Sequence, residues 1–225
     1  MYGTAGSAAY SATHTNTNES TIKKYIDNWY NQNFDETTST KLEDTVFCND
    51  RSTKAYDANT IGDTARSSYG NLGYGKNATF YGTAHRASFY SNNPNPSTLC
   101  KNENDKFTVN SKNGNGALAY PVGLITLDEV VFAGFNTYYS NTSDNQDRTN
   151  YLYTISYYWT SSPLELAAYG NADVKVYVGG VRGAGDVSGD DVSNAGGVRP
   201  VVSLADGTLV NSNGDGTRTN PYVVE

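Results

Sequence analysis

Near the N-terminal end of the chain, apolar residues recur with the period of an α-helix. After Ser20, residues at positions i, i+3, i+4, i+7 and i+8 form one apolar stripe, which consists of Ile22, Tyr25, Ile26, Trp29 and Tyr30. This spacing places the five side chains on one face of a helix, and serine is a favoured N-cap residue. The pattern predicts a helix that begins after Ser20, ends at about Phe34 and packs its stripe into the core.

A second helix is predicted from its start signal. Thr126 and Glu129 have the spacing of a capping box, in which the threonine hydroxyl accepts from the amide at position 129 and the glutamate reaches back. The apolar residues that follow predict a short helix through Phe132.

Shorter apolar runs bounded by turn-forming residues predict β-strands. These runs lie at residues 46–48, 106–109, 117–125, 151–162, 173–178, 198–204 and 222–224. The fifty or so residues after the first run are rich in glycine and asparagine and predict a long loop. Residues 1–19 lack periodicity and predict an N-terminal arm or linker, so the predicted domain covers residues 20–225 and belongs to the α+β class.

Composition narrows the range of function classes. The chain has 225 residues, which favours one domain, and its 19 tyrosines argue against disorder. Sixteen basic and 23 acidic residues give a net charge of -7, which disfavours a nucleic-acid partner. No run of apolar residues is long enough for a transmembrane helix, so no membrane insertion is predicted.

The two cysteines bear on the redox compartment. Cys48 and Cys100 have no CxxC neighbour, which disfavours a zinc site, and a low lysine content with abundant Tyr, Asn, Thr and Ser is typical of an extracellular surface. We therefore expect one disulfide bond, with two buried free thiols as the alternative. No signal-peptide pattern follows Met1, so we expect a domain excised from a larger exported protein.

No motif in the sequence requires an enzyme. The pairs Asp128/Glu129 and Asp190/Asp191 are carboxylates that a glycosidase could use, but solvated acids have the same pattern. The acidic cluster 186–191 and the segment 211–216 are rich in oxygen ligands and leave calcium as a possible cofactor, although the same residues form hairpin turns. No other metal or cofactor is predicted.

Two motifs carry a family resemblance: Trp159-Thr160-Ser161-Ser162-Pro163 and Val198-Arg199-Pro200. With these motifs the chain resembles C-type-lectin-like domains of the formylglycine-generating-enzyme type. Blocks around residues 18–25, 44–52, 120–126 and 214–224 are similar to surface proteins of gut Firmicutes. The resemblance implies a C-type-lectin-like fold with two helices, short antiparallel strands and long loops, on a bacterial cell surface or encoded by a phage, with its anchor outside this segment.

Some proteins of this fold class are variable proteins of diversity-generating retroelements. In these proteins, an error-prone reverse transcriptase replaces adenines in a C-terminal variable region, and residues 164–195 occupy the corresponding place. Lys175 and Glu165 cannot arise from asparagine codons by changes at adenines. We therefore expect these two residues to belong to the invariant scaffold, or else to count against diversification of this segment.

The resemblance therefore implies an adhesin or receptor whose partner is a protein or a surface glycan. The mixture of Tyr, Asn, Asp, Ser, Gly and Arg in residues 164–195 is typical of antibody binding loops, and equally of an ordinary polar hairpin. The expected ligand-binding residues are Tyr157, Leu164, Leu166, Tyr169, Asn171, Asp173, Tyr177, Arg182, Asp186, Asp190, Asp191 and Asn194. Trp159 and Arg199 are expected to hold the scaffold.

The chain departs from two relatives within this fold class. No cysteine follows Cys100, which removes the oxidase chemistry of formylglycine-generating enzymes, and the calcium-binding sugar motifs of C-type lectins are absent. Two alternatives remain open: a secreted carbohydrate-active hydrolase with paired carboxylates, and a structural spacer in a surface stalk that is not diversified.

Overall fold

The apolar stripe near the N-terminus forms helix α1 (Thr21–Asn33) in the computed structural model, which confirms the first predicted helix. The Ser20 hydroxyl accepts from the Lys23 amide at 3.2 Å and caps the first turn. Ile26 and Tyr30 of the stripe are buried, whereas Tyr25 remains 57% exposed. The stripe therefore packs into the core along only part of its width.

The structure describes the following parts of the chain: residues 16, 19–54, 71–72, 76–77, 80–86, 95–135, 151–154, 156–169, 173–181, 187–192, 194–217 and 219–225. Besides α1, its helices are α2 (Glu36–Ser39), α3 (Gly82–Arg86), a 3-10 turn (Glu103–Asp105) and α4 (Leu127–Phe132). The strands are β1 (Leu42–Glu43), β2 (Phe47–Cys48), β3 (Thr53–Lys54), β4 (Asn71–Leu72), β5 (Lys76–Asn77), β6 (Phe80–Tyr81), β7 (Lys106–Phe107), β8 (Gly123–Leu124), β9 (Tyr158–Tyr169), β10 (Asp173–Val181), β11 (Val187–Asp191), β12 (Pro200–Val201), β13 (Ser203–Leu204), β14 (Val210–Asn211) and β15 (Val223–Val224).

Helix α4 confirms the capping-box prediction. The Thr126 hydroxyl accepts from the Glu129 amide at 3.1 Å, and the Glu129 carboxylate accepts from the Thr126 amide at 2.8 Å. The helix ends at Phe132, as the apolar run predicted. Leu127 and Val130 are fully buried, so this short helix contributes its apolar side to the core.

Strand β9 is the central strand of a five-stranded antiparallel sheet with the order β11-β10-β9-β6-β3. The other strands form two-stranded pairs, namely β1–β13, β2–β7, β4–β5, β8–β12 and β14–β15. The mixed α+β class predicted from the sequence is therefore present, with few helices and short antiparallel pairings. Within the parts of the chain that the structure describes, no helix is long and apolar enough to span a membrane.

Two successive residues of β9 contribute to two different hydrophobic clusters. Tyr158 packs with Leu127, Val130 and other residues around α4, whereas Trp159 packs with Ile26 and other residues around α1. Side chains alternate between the two faces of a strand, so α1 and α4 cover opposite sides of β9. The start of β9 therefore holds both halves of the core together.

Several predicted strands are longer than the observed ones, whereas β10 extends three residues beyond its predicted end at Val178 and β11 was not predicted. Of residues 117–125, only Gly123–Leu124 pairs as a strand, and the run 198–204 divides into β12 and β13. Residues 151–154 precede β9 as a turn, whereas the strand continues past the predicted end at Ser162 to Tyr169. Some of these apolar runs are buried and others, such as residues 222–224, are exposed, so the ladder partners rather than the runs themselves decide where a strand forms.

The predicted disulfide bond is confirmed. Cys48 and Cys100 are bonded across a sequence separation of 52 residues, and the structure records no free cysteine. Short strands and helix α3 occupy parts of the segment predicted as one long loop. Of the predicted N-terminal arm, only Asn16 and Glu19 lie among the described residues.

Candidate functional site

The parts of the chain that flank the segment 164–195 meet at Gly197. The Trp159 amide donates to the Gly197 carbonyl at 3.0 Å, and the Gly197 amide donates to the Tyr157 carbonyl at 2.9 Å. A parallel bridge also joins Tyr158 and Gly197. We call β9, β10 and β11 the β9–β11 unit, and these backbone contacts its base. The chain thus leaves the base along β9 and returns to it after β11.

Trp159 fills the space at the base of the unit. Its ring contacts the Tyr157 ring edge-on, with 4.9 Å between the ring centroids. A Cβ at Gly196 would lie closer to the indole of Trp159 than real Cβ atoms approach any heavy atom. The position therefore requires glycine for close approach to the ring. This packing agrees with a scaffold role for Trp159.

Tyr158 and Arg199 support the base from the other face of β9. The Tyr158 hydroxyl donates to the Leu152 carbonyl at 3.0 Å, and the Arg199 guanidinium carbon lies 5.6 Å from the centre of the Tyr158 ring. Arg199 also donates to the Tyr151 carbonyl at 2.8 Å. Burial raises the pKa of Tyr158, although the charge of Arg199 acts in the opposite direction. The phenol is therefore neutral and serves as a hydrogen-bond donor.

Two shifts of register divide β9 into a buried start, residues 158–164, and a second part, residues 165–169, which we call its outer half. Its register against β10 shifts between Tyr177 and Val178 and again between Val178 and Gly180. Pro163 lies in this stretch and cannot donate to the ladder. Ser161 instead donates its amide to the Ile125 carbonyl at 2.9 Å. The irregular part of β9 is thus bonded to the segment before α4.

Beyond the irregularity, the register brings several predicted ligand-binding positions together on the backbone. Tyr177 of β10 is paired with Asp191 of β11 and with Glu165 of β9. Further along β9, the register pairs Leu166 with Val176 and Tyr169 with Asp173 of β10. Of Leu166, Tyr169, Asp173 and Tyr177 the structure describes the backbone alone, and Asn171, Arg182 and Asp186 lie outside the described residues.

Two of the predicted ligand-binding residues are buried instead of exposed. Leu164 is 1% exposed and belongs to the hydrophobic cluster around α4, so we assign it to the core. Asp191 is 5% exposed, which leaves little of it for a ligand. Leu164 completes the core, because its side chain lies in the same hydrophobic cluster as Val187 of β11.

Three other predicted residues lie near the base. Asp190 is partly exposed, and its Oδ1 accepts from the Asn194 side chain at 2.7 Å and from the Asp191 amide at 2.8 Å. Asn194 is exposed, and Tyr157 is partly buried. The end of β11 and the turn that follows it therefore place a carboxylate and an amide side by side.

An ion-pair network that the sequence did not predict joins helix α3 to α4 and to the segment after β2. Arg86 of α3 donates to Asp50 at 2.7 Å and twice to Asp128 at 2.9 Å. Burial opposes the charge of Arg86, but Asp128 and Asp50 outweigh it and raise the pKa of the guanidinium. The network borders a cavity of about 300 Å³. No local pattern signals it, because its three members are far apart in the chain.

The ion-pair network includes Asp128 of the pair Asp128/Glu129, which the sequence offered as candidate glycosidase carboxylates. Asp128 binds Arg86 and accepts from the Ser97 amide at 2.7 Å, and Glu129 caps α4. Both carboxylates therefore already have structural partners. In this pair, Asp128 forms a salt bridge and Glu129 forms a helix cap.

The oxygen-rich segment 211–216, a candidate calcium site, forms a turn. Asp215 accepts from the Thr217 amide at 2.9 Å, and hydrogen bonds from Thr217 lower the pKa of Asp215. Among the described residues, which omit Asp186, no group of three or more His, Cys, Asp or Glu side chains is arranged to hold a metal ion.

Comparison of the chain with family models, with curated proteins and with solved structures gives no match. The C-type-lectin-like fold and the diversified surface therefore remain predictions from the sequence motifs.

Proposed function

We propose that this domain binds a protein or a surface glycan through the outer part of the β9–β11 unit, displayed on a C-type-lectin-like scaffold. In this proposal residues 164–195 are the variable region of a diversity-generating retroelement protein on a bacterial cell surface or encoded by a phage. The domain acts by recognition, without catalysis.

The observation that supports the proposal best is the position of the base. Two backbone hydrogen bonds at Gly197 join the start and the return of the segment, so both of its ends are fixed to the core. Binding residues in many proteins lie on segments that a rigid scaffold positions, and such segments tolerate sequence change. The described members of the clusters of Tyr158 and Trp159 that belong to this segment are Leu164, Val187 and Val192, so substitution elsewhere in the segment would leave those contacts unchanged.

Residue chemistry supports recognition by this segment. Tyr169 and Tyr177 would supply aromatic contact area at low conformational cost, and Tyr177 occupies a central position between β9 and β11. Polar contacts would come from the remaining candidates of the segment, namely Asn171, Asp173, Arg182, Asp186, Asp190 and Asn194. Leu166 lies next to this group on β9.

The decisive experiment is deep sequencing of the coding DNA for residues 157–204 in the source population. We expect substitutions at template adenines, confined to residues 164–195. Leu164 and Val187 should stay constant, because both side chains are buried in the cluster around α4. A uniform segment, or changes at all four bases, would overturn diversification and leave an ordinary adhesin or a stalk module.

Binding can be measured separately on glycan arrays and arrays of purified surface proteins. For a ligand found there, Tyr177→Ala should weaken binding by about tenfold or more and leave the thermal unfolding curve unchanged. Leu164→Ala is the control, because removal of a buried leucine costs about 2–5 kcal/mol of stability. Unfolding of the Tyr177 variant would instead assign this residue to the core.

A further inference from the structure

The sequence contains three Asn-Gly pairs, which begin at Asn113, Asn115 and Asn213. In such a pair the amide nitrogen of the glycine can attack the side-chain carbonyl carbon of the asparagine, because the glycine has no side chain that hinders the approach. The new C–N bond closes a succinimide ring, and ammonia leaves. Water then opens the ring to aspartate or isoaspartate, so an uncharged side chain becomes a carboxylate.

In the second of these pairs the fold holds both reacting groups. The Asn115 Oδ1 atom accepts from the Ala117 amide at 3.0 Å, and its Nδ2 atom donates to the Asn104 carbonyl at 3.0 Å. The attacking group is held as well, since the Gly116 amide donates to the Thr108 hydroxyl at 3.2 Å. Ring closure at Asn115 therefore requires a local opening in which these hydrogen bonds break.

Asn113 has none of these restraints. It is exposed, and among the described residues no group forms a hydrogen bond with its side chain or with the Gly114 amide. A Cβ at position 114 would lie closer to the Lys106 carbonyl oxygen than real Cβ atoms approach any heavy atom, so this position requires glycine. The fold therefore keeps an unhindered amide next to an unbonded asparagine side chain.

Asn213 lies in the turn after β14 and is also exposed. Its amide donates to Asn211 Oδ1 at 2.9 Å, and its carbonyl accepts from the Asn220 side chain at 3.3 Å. Neither of these groups forms the new bond in the ring closure. Within the part of the chain that the structure describes, the Asn213 side chain and the Gly214 amide have no hydrogen-bond partner, so the reacting groups of this pair are free.

We propose that Asn113 and Asn213 are sites of spontaneous deamidation and that the fold protects Asn115. The only co-reactant is water, and each conversion adds one negative charge to an exposed loop. Both loops lie outside the β9–β11 unit, so the inference goes beyond the proposed function and does not depend on it.

Incubation of the full chain at neutral pH, followed by digestion at acidic pH and peptide mass spectrometry, measures all three sites in one sample. We expect Asn113 and Asn213 to react at least about tenfold faster than Asn115, because three hydrogen bonds hold the protected pair and each contributes a factor of about five. In the chain unfolded by urea, Asn113 and Asn115 should react at similar rates. This comparison separates protection by the fold from the effect of neighbouring residues.

Two variants locate the reaction. Asn113→Gln should remove the product at position 113 and leave the rate at Asn213 unchanged, because glutamine would have to close a larger ring that forms more slowly. Thr108→Val deletes the hydroxyl that holds the Gly116 amide and should speed the reaction at Asn115 about fivefold. Circular dichroism confirms that each variant is folded.

Equal rates at Asn113 and Asn115 in the folded chain would overturn the proposal. So would an unmodified Asn113 or Asn213 after a time in which the same site has reacted in urea, since the folded loop would then hold the asparagine away from the glycine amide. A rate at Asn115 that does not change on unfolding would remove the claim of protection.

Discussion

Arg51 and Asp105 form an ion pair that is almost completely buried. The Nε atom of Arg51 lies 2.7 Å from Oδ1 of Asp105, and the two side chains are 3% and 1% exposed. The Arg51 amide also donates to Asp105 Oδ2 at 3.1 Å, and the Asp105 carbonyl accepts from the Asn49 amide at 3.0 Å. The pair thus joins the strand that contains Cys48 to the turn before β7.

Loss of one partner would leave the other charge buried without compensation. Asp105→Ala should therefore lower the free energy of unfolding by about 3–5 kcal/mol. Urea unfolding followed by circular dichroism measures the change. Glu103→Ala is the matched control, because Glu103 is 74% exposed in its pair with Lys106 and should change stability by less than about 1 kcal/mol. Equal effects of the two substitutions would contradict this prediction.

The disulfide bond closes a long loop, since Cys48 and Cys100 are 52 residues apart. In the chain-entropy model, a Cys48→Ser, Cys100→Ser double variant should lose about 4 kcal/mol of stability. A reductant should lower the melting temperature of the unmodified chain and leave that of the double variant unchanged. A melting temperature insensitive to the reductant in both proteins would count against a stabilising bond.

Gly196 packs against the indole of Trp159, and no space remains for a side chain. Gly196→Ala should force a shift at the base of the β9–β11 unit and cost about 1–3 kcal/mol. Ala195→Ser next to it is exposed and should stay within about 0.5 kcal/mol of the unmodified chain. Urea unfolding of the two variants gives the comparison, and equal stabilities would show that the base can adjust.

We expect the stability of the fold to fall at alkaline pH because of the titration of Tyr158. Burial raises its pKa above the ordinary value of 10.0, so the folded chain retains a proton that the unfolded chain releases. The contribution of Tyr158 is therefore complete below the unfolded pKa and falls as the pH rises through the folded pKa. Tyr158→Phe lacks this titration, and the other tyrosines are common to both proteins.

At neutral pH the variant should be less stable by about 1 kcal/mol, because the hydrogen bond to the Leu152 carbonyl is lost. The difference should shrink as the pH rises to about 11. Urea unfolding at a series of pH values tests this, and a constant difference would show that Tyr158 titrates alike in both states.

Local patterns were sufficient for some elements of the fold. The helix after Ser20 and the helix after Thr126 both begin at their predicted caps, because a cap depends on residues three or four positions apart. The α+β class and the Cys48–Cys100 bond also followed from the sequence. The lengths of the short strands did not, since each depends on a partner elsewhere in the chain.

For the candidate site too, some features could be predicted from the sequence and others could not. Composition alone identifies residues 164–195 as the segment rich in contact-forming residues, and the motifs that flank it are visible in the sequence. Three features depend on how the chain packs: Leu164 is a core residue, Trp159 requires Gly196 beside it, and Arg86 joins Asp50 to Asp128. Burial and ion pairing depend on contacts between residues far apart in the chain, and no local pattern encodes those contacts.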